Sequence, residues 1–247
     1  MKLISGCISE TGNYRKKNQD RAVCCVHYDR KHTLALGCVC DGIGSFPTSE
    51  ISAEMVISGI TRWFKGIIPY CFKNIQEEDL LEDLEETLVE INELVYTYKE
   101  QKEINIGCTM SLMLVIDEKY YIFQVGDSRI YCLRNALQQI TEDQVVYREE
   151  KGITKKKLAN YFGRRKDLVL EKYVGDIQNE DIFVVATDGF YKRLRYDDIK
   201  DISQKMKNDK AALQCCERLV KLVLERGEKD NISCVLLRAA KKNLLLQ

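Results

Sequence analysis

The sequence predicts one domain of the α/β (α+β) class, in which helices cover antiparallel sheet. Eight runs rich in apolar, β-branched and aromatic residues have strand character, and three longer stretches repeat apolar residues at helical spacing. The strands come in groups and do not alternate regularly with helices, which favours antiparallel sheet over βαβ units. With only two prolines and no Gly/Ser-rich linker in 247 residues, we expect a single domain spanning 1–247.

The strands and helices are expected in a definite order. Strands are predicted near 3–8, 21–28, 33–40, 108–116, 119–126, 129–133, 181–187 and 232–238, and helices over 49–65, 77–101 and 208–226. Residues 117–119 are expected to form a hairpin turn between two strands. The polar stretch from about 142 to 180 has the least regular pattern, and it is interpreted either as a surface flap near a site or as a solvated insertion.

The charge balance gives no general attraction to nucleic acid or to an anionic membrane. Lys plus Arg and Asp plus Glu both number 38, so the formal net charge is zero. The first residues are too polar for a signal peptide, so none is expected, and no apolar run is long enough for a membrane helix; a cytoplasmic protein is therefore expected.

The cysteines also favour a reducing compartment. Their number, 11, is odd and no CxxC pair occurs, so neither a disulfide framework nor a zinc site is expected. Several of them, including Cys38, Cys108 and Cys234, lie inside apolar runs, where cysteine behaves as a small hydrophobic residue.

Five aspartates lie at the ends of predicted strands. Asp41 and Asp188 each follow an apolar run and precede a glycine, Asp127 follows another run, and Asp20 and Asp230 come just before strands. Any one of them fits an ordinary turn, since Asp-Gly is a common turn dipeptide. Five at strand ends, however, supply a cluster of the hard oxygen ligands that Mg²⁺ and Mn²⁺ prefer.

The ordered set of short motifs resembles the metal-dependent protein phosphatase family, also called protein phosphatase 2C, and in particular its compact bacterial members. The motifs are Arg15-x-x-Asn18-Gln19-Asp20, Asp41-Gly42-Ile43-Gly44, Gly107-Cys108-Thr109, Gly126-Asp127-Ser128-Arg129, Thr141-Glu142-Asp143, Thr187-Asp188-Gly189 and Asp230-Asn231. Each motif alone is weak, but seven in the family's order across nearly the whole chain are specific.

The resemblance implies a four-layer α-β-β-α sandwich, with two antiparallel sheets face to face and helices outside both. It also implies two Mn²⁺ or Mg²⁺ ions at one end of the sandwich. By motif position, Asp41 would bridge the ions, Gly42 would give its backbone carbonyl, and Asp20 would bind directly or through water. A water between two divalent ions has a lowered pKa and attacks phosphorus directly as hydroxide, so no phosphoenzyme is needed.

The remaining site residues follow from the same resemblance. Asp188 and Asp230 would hold the second ion, and Asp127 would help to bind a third, weaker one. Arg15 would grip the substrate phosphate, since guanidinium binds phosphate in a bidentate manner. Arg15 and Asp41 are therefore the predicted catalytic residues.

Some positions depart from the family pattern. Gln144 stands where a histidine is usual, and Ile43 and Phe46 occupy places where some members have histidine. These departures leave the proton donor for the leaving alkoxide unassigned, although they remove no predicted metal ligand.

The predicted function is hydrolysis of phosphoserine and phosphothreonine in proteins by a monomeric enzyme, with a serine/threonine kinase as a natural counterpart. Two alternatives stay open: a pseudophosphatase that binds phosphoproteins, and a family member that acts on a small phosphorylated molecule.

Overall fold

The computed structural model describes residues 1–29, 32–70, 76–150 and 152–240, and within these ranges the chain forms twelve strands and five helices. In chain order they are β1 (Lys2–Glu10), β2 (Arg21–Tyr28), β3 (Thr33–Cys40), α1 (Glu50–Ile67), α2 (Glu77–Lys102), β4 (Met110–Ile116), β5 (Lys119–Val125), β6 (Arg129–Leu133), β7 (Leu137–Gln139), β8 (Val145–Glu150), β9 (Ile153–Leu158), β10 (Glu171–Asp176), β11 (Ile182–Ala186), α3 (Asp188–Tyr191), α4 (Tyr196–Ser203), α5 (Asp209–Glu225) and β12 (Ile232–Ala240).

Two five-stranded antiparallel sheets form the centre of the molecule. One has the strand order β1-β12-β11-β6-β7 and the other β10-β5-β4-β3-β2, while β8 and β9 form a separate hairpin. Helices α1 and α2 cover the second sheet, and α5 packs on the first. This arrangement confirms the predicted sandwich of two antiparallel sheets flanked by helices.

Strand β3 shows how the sequence builds these layers. Successive side chains of a strand point to opposite faces, so Leu34 and Leu36 pack beneath α1 and α2, whereas Ala35 and Val39 face the other sheet. Every residue of β3 is buried, because both faces of its sheet are covered. A strand of this kind reads as a continuous apolar run, as it does here.

The three long helices match the predicted ones to within two residues at each end. Helix α1 buries Val56, Ile60 and Phe64, which lie four residues apart on one face. None of the described helices is both long and apolar enough to cross a membrane. Cys38, Cys108 and Cys234 are fully buried in the apolar layers, which confirms their expected packing role.

The prediction that the 142–180 stretch is irregular is wrong for three of its segments. Strands β8 and β9 pair as an antiparallel hairpin, and β10 adds to the edge of a sheet next to β5. Side chains of β9 are exposed at nearly every position, and β10 alternates between half-buried and exposed positions. With so little burial, these strands lack the apolar periodicity that identifies a strand in a sequence.

Candidate active site

The antiparallel register brings the predicted aspartates to one end of the sandwich. Asp20 precedes β2 and Asp41 follows β3, and these two strands pair antiparallel, so the two residues are neighbours. In the same way, Asp188 follows β11 and Asp230 lies just before β12. Asp127 lies in the turn between β5 and β6, one strand of each sheet.

A pocket of about 300 Å³ opens where these strand ends meet. Its walls contain six of the seven predicted site residues, which are Arg15, Asp41, Gly42, Asp127, Asp188 and Asp230. The seventh, Asp20, is only 1% exposed and is buried beneath the pocket surface.

Two other motifs hold Asp41 in place. Its backbone N–H donates to the hydroxyl of Thr109 (3.1 Å), and its carbonyl accepts the backbone N–H of Thr109 (2.8 Å). The hydroxyl groups of Thr109 and Ser128 are themselves hydrogen-bonded at 2.7 Å. The end of β3 is thus fixed to the start of β4 and to the turn that carries Asp127.

The glycines that follow two of the aspartates allow neighbouring segments to approach closely. A Cβ on Gly42 would lie 2.6 Å from the carbonyl oxygen of Gln19, and one on Gly189 would lie 2.0 Å from that of Asn231. No side chain fits at such distances. These positions therefore require glycine if the segments carrying Asp20 and Asp230 are to reach the pocket.

The carboxylates repel one another and are partly removed from water. Burial raises the pKa of Asp20 to about 7, although its Oδ2 accepts a hydrogen bond from the hydroxyl of Thr187 (2.9 Å). Burial also raises the pKa of Asp41, and the negative charges of Asp20 and Asp188 raise it further. Such a cluster of hard oxygen atoms with excess negative charge suits a divalent cation.

Three of the pocket aspartates are paired with basic side chains. Arg15 donates from Nε and Nη2 to the two carboxylate oxygens of Asp230 (both 2.9 Å), Lys192 Nζ lies 2.6 Å from Asp188 Oδ2, and Lys156 Nζ lies 2.9 Å from Asp127 Oδ2. Within the described residues, no three acidic, cysteine or histidine side chains are arranged to hold a metal ion as they stand. A metal ion at Asp230, Asp188 or Asp127 would compete with these basic side chains for the same carboxylate oxygens.

The sequence motifs did not indicate the two lysines. Lys192 lies four residues after Asp188, a spacing at which helical side chains meet, so a local signal for it exists. Lys156 comes from β9, far along the chain from Asp127, and no local pattern predicts this contact.

The side chain of Asn231 holds the loop that carries Arg15. Its Oδ1 accepts the backbone N–H of Gln19 (2.9 Å), and its Nδ2 donates to the carbonyls of Thr11 (2.9 Å) and Lys17 (3.0 Å). Asn231 is 5% exposed. This buried amide therefore ties the start of β12 to both ends of the segment containing Arg15.

The side chain of Gln144 makes hydrogen bonds that hold neighbouring segments together. Its Oε1 accepts hydrogen bonds from the backbone N–H of Gly126 (2.8 Å) and from Nδ2 of Asn160 (2.9 Å). The side chain thus supports the turn that carries Asp127.

Two packed antiparallel sheets, with aspartates and an arginine around one pocket at the strand ends, define the class of phosphatases that the motifs indicate. The chain belongs to the protein phosphatase 2C family, because the sequence model of that family matches residues 14–236. The predicted family is thereby confirmed.

Individual relatives agree with this assignment. The chain is 22% identical over 245 residues to the serine/threonine phosphatase stp of Listeria monocytogenes, covering 92% of both chains. A bacterial serine phosphatase structure superposes with a TM-score of 0.79 at 20% identity, covering 98% of this chain and 100% of the other. The catalytic domain of PstP, in complex with two manganese ions, gives a TM-score of 0.72 at 19% identity, covering 97% and 99%.

Proposed function

We propose that this phosphatase hydrolyses phosphoserine and phosphothreonine in proteins. The observation that carries the proposal is the convergence of the predicted aspartates and Arg15 on one pocket, within the sandwich of a protein phosphatase 2C family member. The relative from Listeria monocytogenes is named a serine/threonine phosphatase, which supports the same substrate class. The phosphoprotein-binding alternative is not favoured, since every predicted metal ligand is present.

We further propose that Mn²⁺ or Mg²⁺ ions bind among the aspartates of the pocket. Asp41, Asp188 and Asp230, with the carbonyl of Gly42, would supply the ligands. Asp20, which is buried beneath the pocket surface, would bind an ion directly or through water. The two manganese ions bound to PstP support a site for two metal ions in this fold. When bound, such ions neutralise charge on phosphoryl oxygens and lower the pKa of water.

Arg15 would bind the substrate phosphate. Its hydrogen bonds to Asp230 raise its pKa above the ordinary value, so the side chain is charged at every physiological pH. The guanidinium plane presents two parallel N–H groups, which match a phosphate as well as the carboxylate that it now contacts. Exchange of Asp230 for the substrate would thus bring the cation to the phosphoryl group and leave Asp230 available as a ligand.

We propose that the protein is a monomeric cytoplasmic enzyme, on the basis of its relatives and its net charge. The similar proteins named above are bacterial, and the zero net charge gives no drive toward nucleic acid or membrane. A monomeric cytoplasmic enzyme that opposes a serine/threonine kinase fits these observations.

The test is hydrolysis of a phosphothreonine peptide with Mn²⁺, with EDTA, and in the variants Asp41→Asn and Asp188→Asn. Activity should require the ion and fall by about 10²-fold or more in each variant, because each change removes a charged ligand. Circular dichroism shows whether the variants remain folded. A folded protein that binds Mn²⁺ and phosphopeptide without hydrolysing it would instead support a phosphoprotein-binding module.

A further inference from the structure

Lys156 brings a positive charge from the β8–β9 hairpin into the pocket. Its ammonium lies 2.9 Å from Asp127 Oδ2 and 3.1 Å from Asp143 Oδ2, and its side chain is 35% exposed. The side chain of Asp127 is only 13% exposed. The hairpin therefore reaches over the turn between β5 and β6 and covers its carboxylate.

Asp143, the other carboxylate beside Lys156, already has a bidentate partner. Its two oxygens accept hydrogen bonds from Nε and Nη2 of Arg129, at 2.7 and 2.9 Å. Since Arg129 balances the charge of Asp143, the ammonium of Lys156 remains to balance the charge of Asp127.

The surroundings fix this arrangement from the other side. The guanidinium of Arg129 lies 4.0 Å from the ring centre of Tyr191, and the hydroxyl of Tyr191 donates to the backbone carbonyl of Asp127 (3.0 Å). Contacts thus run in a closed loop from Asp127 through Lys156, Asp143, Arg129 and Tyr191 back to Asp127. Removing the ammonium would leave the rest of this framework in place.

We propose that Lys156 is a built-in cation of the site, whose ammonium occupies the position beside Asp127 that a further divalent ion would otherwise take. A lysine ammonium is a compact point charge with three donors, so it can replace an ion next to carboxylate oxygens. The chain then binds its ions at Asp41, Asp188 and Asp230 but not at Asp127. This inference rests on the proposed function, because it assumes that the pocket binds ions.

The experiment counts bound Mn²⁺ from the electron paramagnetic resonance signal of the free ion, which needs no catalytic turnover. Lys156→Met removes the charge and keeps the length of the side chain. We expect this variant to bind one more Mn²⁺ per chain than the wild type, with the affinity beside Asp127 raised at least about tenfold. Adding Asp127→Asn to the variant should abolish the extra binding.

Lys157→Met is the matched control. It removes the same charge from the next position of β9, and its side chain points to the opposite face of the strand, so Mn²⁺ binding should match that of the wild type. Equal ion numbers and affinities in wild type and Lys156→Met would overturn the inference alone. A wild-type protein that binds no Mn²⁺ would overturn both the inference and the proposed function.

Discussion

The buried amide of Asn231 fixes the loop that carries Arg15. It accepts one backbone hydrogen bond and donates two, and its partners at Gln19, Thr11 and Lys17 flank the segment that carries Arg15. Asp230, the present partner of Arg15, is the residue immediately before it. A single side chain thus links the loop that carries Arg15 to the strand start that carries Asp230.

We predict that Asn231→Ala weakens both folding and catalysis. Each buried backbone group that loses its partner costs about 1–3 kcal/mol, and the loop carrying Arg15 loses its attachment. The value of KM for a phosphopeptide should rise and kcat/KM should fall by about tenfold or more. Denaturant unfolding and steady-state kinetics measure the two effects.

Asn208→Ala provides the comparison for that variant. Asn208 is the N-cap of α5, where its side chain accepts the backbone N–H of Ala211 at 2.9 Å, so its loss should cost about 1 kcal/mol. Its place at the start of α5 is away from the residues that line the pocket, and kinetics should not change. Equal kinetic losses in both variants would mean that lowered stability, and not the position of the loop, explains the effect.

The aspartates of the site could be predicted because strand ends are visible in the sequence. Asp41 and Asp188 each end an apolar run, and antiparallel pairing then brings such ends together. Lys156 could not be predicted in this way. Its strand is exposed, and its contact with Asp127 depends on where the hairpin lies in three dimensions.

At the scale of elements, burial decides stability as well as predictability. Helix α2 buries Leu88 completely against α1 and the sheet, whereas Leu94 on the same helix is 61% exposed. We predict that Leu88→Ala lowers the free energy of unfolding by about 2–5 kcal/mol and that Leu94→Ala changes it by less than about 0.5 kcal/mol.

Thermal and urea unfolding of the two leucine variants test this prediction. Both residues lie on the outer helical layer, so the phosphatase activity of the folded variants should stay close to that of the wild type at low temperature. A similar loss of stability in the two variants would contradict the burial of Leu88 and the exposure of Leu94 on α2.

Burial also decides which elements can be recognised in the sequence. Strands such as β3 and β11 are buried at every position and stand out as apolar runs. Most missed elements are short or lie at an edge: β7 has three residues, α3 has four, β10 is an edge strand, and the β8–β9 hairpin lies outside the two main sheets. Helix α4 is missed although it buries Ile199 and Ile202, because eight residues give only two turns of periodicity. Contacts with the rest of the fold, more than local periodicity, determine where these elements form.

At the scale of the whole molecule, the two sheets concentrate negative charge at one end of a chain whose net charge is zero. Asp20 and Asp41 are held there although burial, and then the negative charges of neighbouring aspartates such as Asp188, raise the pKa of both. Without a divalent ion, the fold therefore carries an unfavourable electrostatic energy at neutral pH. An ion that binds only the folded protein would remove this cost.

We predict that Mn²⁺ raises the unfolding temperature of the wild type by roughly 5–10 °C at a hundredfold excess over Kd, since binding to the folded state alone contributes about 2.7 kcal/mol. For Asp41→Asn, we expect the difference in stability from the wild type to change sign between EDTA and Mn²⁺. In EDTA at pH 8 the variant should be more stable than the wild type, because a neutral amide replaces a carboxylate that burial and neighbouring charges disfavour. In Mn²⁺ it should be less stable than the wild type, because it has lost a carboxylate that is proposed to bind the ion. Calorimetric scans with NaCl at matched ionic strength separate specific binding from screening, and a wild type that responds equally to both salts would disprove the link between ion binding and folding.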